Sequence, residues 1–466
     1  MPTAIATIEV RNPSTGELLG ELPVASTEQI DAAIARARTG AGTMAAMPAH
    51  ERGALLARVA DGIEARSEEL ARLVAAENGK PIVQTRGEVA AAIRIFRGFG
   101  EEAKRLFGRQ IPLDAVPGLE NNLAFTVREP LGVVAAIVPF NYPVELYAHK
   151  AAAALAGGNA VLVKPPEKCP LALVEIAGIV EAAGAPEGAH ALLGGGPEVA
   201  QALALAEGIE LISLTGSTVA GRAISELASR TLKHVHLELG GNDAMIVCAD
   251  ADVDRAAEAI VLGRLARGNG QICCAVKRVY VEAPVHDELA ANLIARAGKL
   301  VVGDPLDEAT DVGPLITEAA AKAVEASLAE AAAQGATVIG GERNGAFVSP
   351  AVLTGVPADA PAIAEEIFGP VAPLVAVESA EQAMELANDS DYGLHTAVFT
   401  RDVQRAFSLA RRAEAGGVIV NGSTALRAEN LPFGGVKLTG GTREGLHDTL
   451  MTMTRQKTIV VMDAWS

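Results

Sequence analysis

The alternation of apolar and polar positions changes character near residue 131. Before that point hydrophobic residues recur at helical spacing. In "TEQIDAAIARAR", Ile30 and Ile34 fall on one face and Thr27 is read as the N-cap. "HERGALLARVADGIEARSEELARLVAAENGK" keeps Leu and Val at the same period and closes on Asn78-Gly79, a helix stop signal. In "IPLDAVPGLENNLAFTVREP", by contrast, Pro and Gly divide short β-like runs, which predicts a hairpin arm projecting from its domain.

From Leu131 onward the chain is a series of short apolar runs: "GVVAAIV", "NAVLVK", "HALL", "ELISLTG", "HVHLEL" and "DAMIVC". Helical stretches separate most of them. Such runs describe strands buried on both faces, hence a parallel α/β sheet. A second α/β stretch runs from "ADADVDRAAEAI" to Val420, then a Gly-rich segment, "NLPFGGVKLTGGTREG". The tail "RQKTIVVMD" reads as a strand suited to pairing outside its own domain. No repeat of solenoid period is present.

Composition narrows the classes. The 466 residues suffice for two or three domains with sizeable cores. A net charge of −18 argues against general binding to nucleic acid or anionic membrane. The N-terminus lacks a secretory pattern, and the longest apolar stretch is broken by Gly157, Gly158 and Asn159, so no span is expected. Four cysteines without C-x-x-C or a Cys/His cluster argue against a disulfide framework or a metal site, and favour a reducing, cytoplasmic setting.

Two of those cysteines adjoin in "GNGQICCAVKR", Gly268 to Arg278. They are either small packed hydrophobes or include a nucleophile. Other candidates sit at strand ends. Asn141 in "VPFNYP" has an amide that can donate to an oxyanion, or is simply a turn residue. Lys164 and Glu167 in "VLVKPPEK" either hold ribose hydroxyls or form a solvated pair. Gly216-Ser217-Thr218 opens a helix whose N–H groups suit phosphate, although the G-x-G-x-x-G fingerprint is absent. Glu238 in "HLELGG" is either a half-buried general base or a charge emerging to solvent.

In this order and spacing the motifs resemble the aldehyde dehydrogenase superfamily. The likeness runs from "NPSTGELLGELPVAS" through "EEIFGP" (Glu365 to Pro370) to "PFGGVK" (Pro432 to Lys437). It implies an α/β fold with a Rossmann-type cofactor domain (1–110 and 131–239) and an α/β catalytic domain (240–436). A β oligomerisation arm and tail strand (111–130 and 455–466) and a return segment (437–454) complete the chain. Uncovered strand edges on the arm imply a homodimer or homotetramer.

The resemblance also assigns roles. Cys273, two places after Gln271, is the nucleophile, and Cys274 its neighbour. Asn141 and the Cys273 N–H hold the oxyanion, and Glu238 activates the water that hydrolyses the acyl-enzyme. Lys164 and Glu167 go to the adenosine ribose, Gly196 and Ser217 to the pyrophosphate and adenine region, and Glu366 and Phe368 to the nicotinamide ribose. Pro139, Phe140, Gly216 and Leu239 complete the cofactor set. A carboxylate at the 2′-hydroxyl favours NAD over NADP, while Lys168 leaves dual use open. The implied activity is oxidation of an aldehyde to the acid, with no metal.

On the substrate side the candidates are Tyr142, Glu145, Cys274 and Arg427. A small polar aldehyde or semialdehyde is expected, with a benzaldehyde-type aldehyde as an alternative. Arg427 either pairs with a substrate anion, forms a surface or inter-subunit salt bridge, or is neutralised by Glu145. Ile272 stands where non-phosphorylating glyceraldehyde-3-phosphate dehydrogenases can carry arginine, which weakens a phosphate reading. The carboxylate at Glu238 weighs against a CoA-acylating variant, and the presence of Cys273, Glu238 and Asn141 weighs against a non-catalytic binding protein. Departures from the family pattern are Pro166, Gly268 and "TGGTRE", Thr439 to Glu444.

Overall fold

The computed structural model describes residues 6–465; the ends of the ranges beginning at 1 and finishing at 466 lie outside the described residues. The first long helix, Thr27–Ala46, is capped by Ser26 rather than Thr27. Ser26 Oγ accepts from the Gln29 N–H at 3.3 Å, and the Gln29 side chain accepts from the Ser26 N–H at 2.8 Å. Of the two adjacent hydroxyls, only the earlier has a glutamine three places on, so it completes a capping box. Asn78-Gly79 does end the helix Ser67–Asn78, with Gly79 at φ 87°.

Five of the apolar runs form one parallel sheet, in the order His190–Leu192, Ala160–Lys164, Val133–Ile137, Leu211–Thr215, His234–Glu238. The three central strands are buried at every residue, which is why their sequences do not alternate. Val134 and Ala136 face a core shared with the helices Ile82–Glu102 and Pro143–Ala156. Val133, Ala135 and Ile137 face the opposite way, towards Thr27–Ala46 and Pro197–Leu205. Helices on both faces of an open parallel sheet make a Rossmann-like layer.

"DAMIVC" belongs to a second sheet of seven strands, in the order Thr337–Gly340, Ala351–Thr354, Val371–Val377, Arg278–Glu282, Ala244–Val247, His395–Phe399, Gly417–Val420. Its first pair is antiparallel and the rest parallel. The short loop from Glu238 to Ala244 therefore passes directly from one sheet to the other.

The arm is a three-stranded sheet. Thr454–Val461 runs antiparallel to Leu123–Pro130, whose other edge takes the two-residue strand Gln110–Ile111. The tail strand thus pairs with a segment more than 300 residues earlier in the chain, Thr454 lying opposite Pro130. Among the described residues no helix is long and apolar enough to cross a membrane.

Candidate active site

Asn141 lies in the turn between Val133–Ile137 and the helix Pro143–Ala156, which starts with Pro at its first position. The first N–H groups of that helix are buried and need acceptors. Glu88 Oε1 supplies one, accepting from Val144 at 2.9 Å and Glu145 at 3.3 Å, while its other oxygen meets the Lys80 ammonium. With the turn so held, Asn141 Nδ2 donates to the Gln271 carbonyl at 3.1 Å. One of its two N–H bonds remains for another acceptor.

The loop leading to the adjacent thiols is built by backbone conformation. Gly268, Asn269 and Gly270 have φ of 57°, 54° and 72°. A Cβ on Gly270 would fall 2.3 Å from the Gly369 carbonyl carbon, so only glycine fits. Asn269 braces the loop: Nδ2 donates to the Gly79 and Pro314 carbonyls (3.0 and 2.9 Å) and Oδ1 accepts from Gly313 N–H at 2.8 Å. The departure at Gly268 is therefore a residue suited to a left-handed position.

Cys273 is partly exposed and Cys274 buried. A hydrogen bond with Cys274 and then burial push the Cys273 thiol well above its ordinary value; Lys277 and Arg427 pull it down. Glu238 is 4% exposed, more deeply buried than its position at a strand end suggested. Burial, then Glu444, raises its carboxyl well above the usual range. Thr442 Oγ1 donates to Glu238 Oε1 at 3.2 Å. A Cβ on Gly434 would lie 2.9 Å from the same oxygen, which explains the glycine of "PFGGVK".

Several charged groups at the site escaped the sequence reading. Lys150 and Glu444, each 1% exposed, form an ion pair at 3.4 Å. Burial alone would raise Glu444, but Lys150 and Arg427 outweigh it and hold the carboxyl below its usual range. His149 and His236 are buried beside this pair and pushed down to about 3 and about 4, chiefly by burial. A lysine inside the apolar run "HKAAAALA" was the available signal.

Arg427 is an interior bridge rather than a surface pair. Its Nε lies 3.2 Å from Glu145 Oε1, its Nη2 meets Glu444, and its guanidinium sits 4.5 Å over the Phe433 ring. Arg267, also missed, hydrogen-bonds the Tyr142 hydroxyl at 3.2 Å and the Ala425 carbonyl at 2.9 Å. Tyr142, Glu145, Arg267 and Arg427 line both a cavity of about 660 Å³ and the small chamber beside Cys273, Cys274 and Asn141.

The cofactor candidates gather at the carboxyl edge of the five-stranded sheet. Lys164 ends a strand with its Nζ 3.3 Å from Glu167 Oε1. Gly196 precedes the helix Pro197–Leu205, and Gly216-Ser217 precedes Thr218–Ser229, where Ser217 Oγ accepts from Ala220 at 3.2 Å. Phe140 and Phe368 meet edge to face at 5.9 Å, near Pro139, and Leu239 is buried after Glu238. Glu366 approaches the loop after Glu238 so closely that a Cβ on Gly240 would be 2.7 Å from it. Two helix N-termini with an ammonium–carboxylate pair are a donor set that fits a diphosphate and a ribose diol. Among the described residues no three His, Cys, Asp or Glu side chains are grouped to hold a metal ion.

A parallel sheet of this kind, joined by a five-residue passage to a second sheet carrying a thiol loop, defines a dinucleotide-linked oxidoreductase. The chain belongs to the aldehyde dehydrogenase family, whose model matches residues 1–459. It is similar to 3-sulfolactaldehyde dehydrogenase of Priestia aryabhattai, 39% identical across 98% of this chain and 96% of that protein. Aspartate-semialdehyde dehydrogenase 1 of Pseudomonas canavaninivorans is 38% identical across 97% and 96%. The NADP-dependent glyceraldehyde-3-phosphate dehydrogenase of Bacillus halodurans C-125, solved with NADP, superposes with a TM-score of 0.95 at 38% identity, covering 98% and 96%. The protein is an NAD(P)-dependent aldehyde dehydrogenase. None of these three is named for an aromatic aldehyde, so they lend the benzaldehyde-type alternative no support.

Proposed function

We propose that the chain oxidises a small anionic aldehyde to its carboxylic acid, with Arg267 receiving the anionic group. The carrying observation is the charge pattern of the cavity. Among its described lining residues the arginines are Arg94, Arg267 and Arg427. Arg94 pairs with Glu429 at 2.6 Å, and Arg427 lies between Glu145 and Glu444. Arg267 forms no ion pair among the described residues; its hydrogen-bond partners are neutral oxygens. A cation so placed suits a carboxylate or sulfonate. The three relatives support this, since sulfolactaldehyde, aspartate semialdehyde and glyceraldehyde 3-phosphate all carry an anionic group.

In this reading the Cys273 thiolate attacks the carbonyl carbon, and the new oxyanion takes hydrogen bonds from Asn141 Nδ2 and the Cys273 N–H. Collapse of the oxyanion would release the aldehyde hydrogen with its electron pair and leave a thioester; NAD(P)⁺, held by Lys164, Glu167, Ser217 and Glu366, would supply the acceptor for that hydride. Glu238 then takes a proton from water, hydroxide adds to the thioester, and the C–S bond breaks to return the thiolate and the acid. A carboxyl raised by burial suits that base role. Lys164 and Glu167 hold the adenosine ribose, with NAD preferred; Gly196, Gly216 and Ser217 face the diphosphate, and Glu366 and Phe368 the nicotinamide side. The domain ranges given above, a cytoplasmic setting for the four free thiols, and assembly through the arm belong to the same reading. On that arm Val460, Val461 and Met462 stay exposed.

The test is reduction of NAD⁺, and separately NADP⁺, against carboxylated, sulfonated, phosphorylated, neutral and aromatic aldehydes, with and without CoA. CoA-independent turnover with the highest kcat/KM for a carboxylated or sulfonated aldehyde is expected. Equal or better use of neutral aldehydes would remove the role of Arg267. Turnover only with CoA would remove that of Glu238.

A further inference from the structure

Lys277 follows Cys273 by four residues, immediately before the strand Arg278–Glu282. Its side chain is 1% exposed, yet three acceptors converge on the ammonium: the Gly241 carbonyl at 2.7 Å, Glu366 Oε1 at 2.8 Å and the Cys273 carbonyl. They belong to three segments: the passage between the sheets, the loop after the short helix Pro361–Ala364, and the nucleophile loop itself. The Lys277 backbone is pinned as well, its N–H donating to the Asp243 carbonyl at 3.0 Å. Taking an ammonium out of water is expensive, and an unbranched apolar side chain would fill this space without that penalty. What the apolar side chain would lose is the grip on the Cys273 carbonyl and the positive charge beside the thiols.

We propose that Lys277 is a positioning residue that fixes the peptide unit between Cys273 and Cys274, and so selects which of the two adjacent thiols is presented and ionised. The carbonyl it holds lies in that peptide unit, so neither thiol can exchange places with the other without breaking the contact. The same ammonium favours the thiolate over the thiol. The charged and titratable groups facing Cys273 are Cys274, Glu238, Asp243, Lys277 and Arg427, with Tyr142, Glu145 and Arg267 lining the same small chamber. Lys277 and Arg427 stabilise the thiolate, Lys277 ahead of Arg427; Arg427 is shared between two carboxylates, Glu145 and Glu444, whereas Lys277 meets one, Glu366. The inference rests on the reading of Cys273 as nucleophile.

The experiment is alkylation of the full-length enzyme by iodoacetamide across pH, with the modified cysteine located by fragmentation mass spectrometry. Wild type is expected to be labelled at Cys273. In Lys277→Met, Cys273 labelling at neutral pH falls about tenfold, its inflection moves up by about one pH unit, and the share of label on Cys274 rises. Lys277→Arg, which keeps the charge, restores part of the Cys273 labelling. Glu366→Gln, at a carboxylate 19% exposed, removes the counter-charge and moves the inflection the other way, down; this arm stands if the Lys277 variants fail to fold. An unchanged site and inflection in Lys277→Met, or no downward shift in Glu366→Gln, overturns the role of Lys277. Labelling of wild type at Cys274 instead overturns the nucleophile reading beneath it.

Discussion

Glu238 and Glu444 are two buried, interacting carboxylates whose acidities are driven apart. Burial and the neighbouring charge of Glu444 raise Glu238, whereas Lys150 and Arg427 overcome burial at Glu444 and lower it. Glu238 is therefore held towards its protonated form and Glu444 towards its ionised form.

Glu444→Gln removes one negative charge facing Glu238 and leaves Lys150 and Arg427 without the carboxylate they share. Both changes favour ionised Glu238, so its pKa falls. The ascending limb of the kcat–pH profile should move to lower pH. Lys150 left without its carboxylate, with Arg427 reduced to Glu145 alone, should also cost about 3–5 kcal/mol of stability. An ascending limb that stays in place or moves up would show that Glu444 does not tune Glu238.

Glu238→Gln keeps the shape of the side chain and the Thr442 contact but has no base to deprotonate water. Rapid mixing should still give a burst of NAD(P)H approaching one equivalent of active sites, followed by turnover slowed about 10²–10⁴-fold. Steady turnover at the wild-type rate, without a burst, would remove the deacylation role.

The adjacent thiols separate in the same way. Cys273→Ala should abolish turnover, because Cys273 is the partly exposed thiol of the pair and Cys274 is buried. Cys274→Ala removes a buried side chain that hydrogen-bonds Cys273, and should retain turnover within about tenfold. The reverse pattern in steady-state assays would move the nucleophile by one residue.

The two sheets were legible because strands buried on both faces have unbroken apolar sequences, and the loop glycines because close approach at Gly270 and Gly434 admits no Cβ. The Ser26 cap was misplaced by one residue, since two adjacent hydroxyls compete and the decision depends on Gln29. What sequence did not disclose was the buried charge. Lys150 and Glu444 are 294 residues apart in the chain, and Glu366 lies far from Lys277. A charged residue in isolation reads as surface because burial without a partner is prohibitive; the partners become visible only once the chain is folded. Arg267 forms no ion pair among the described residues, and its place is set only by the cavity it lines once the chain is folded; Arg427 reads as a ligand for a substrate anion until its two carboxylates are in place.

Arg267 and Arg427 should consequently behave differently on truncation. Arg267→Met should raise KM for a carboxylated aldehyde about 10–100-fold, the loss expected for a charge-assisted contact of about 1.5–3 kcal/mol, with little change for a neutral aldehyde of similar size. Arg427→Met strands Glu145 and Glu444 and should lower the thermal midpoint, with activity falling alike for both aldehydes. Equal effects of Arg267→Met on charged and neutral substrates in initial-rate assays would show that the guanidinium supports the cavity wall and does not read the anion.

His149 offers the cleanest pH test of the buried network. Its pKa is pushed down to about 3 from an ordinary value of 6.5, and it is 1% exposed. Below pH 6.5 the unfolded chain therefore takes up a proton that the folded chain refuses, and stability falls as pH falls towards the folded value. Between pH 6.5 and 5 this amounts to about 2 kcal/mol. Wild type alone does not isolate it, because Glu77, Glu238 and Asp243 are raised and have the opposite slope in the same window. The difference between wild type and His149→Phe does isolate it, and an aromatic ring suits the edge-on contact with Phe99 at 6.3 Å. Urea unfolding at the two pH values should show the variant gaining about 2 kcal/mol on wild type as pH drops to 5. A gap independent of pH would mean that His149 accepts its proton equally in the folded and unfolded chains, and that the pocket around Lys150 and Glu444 admits charge more readily than its burial implies.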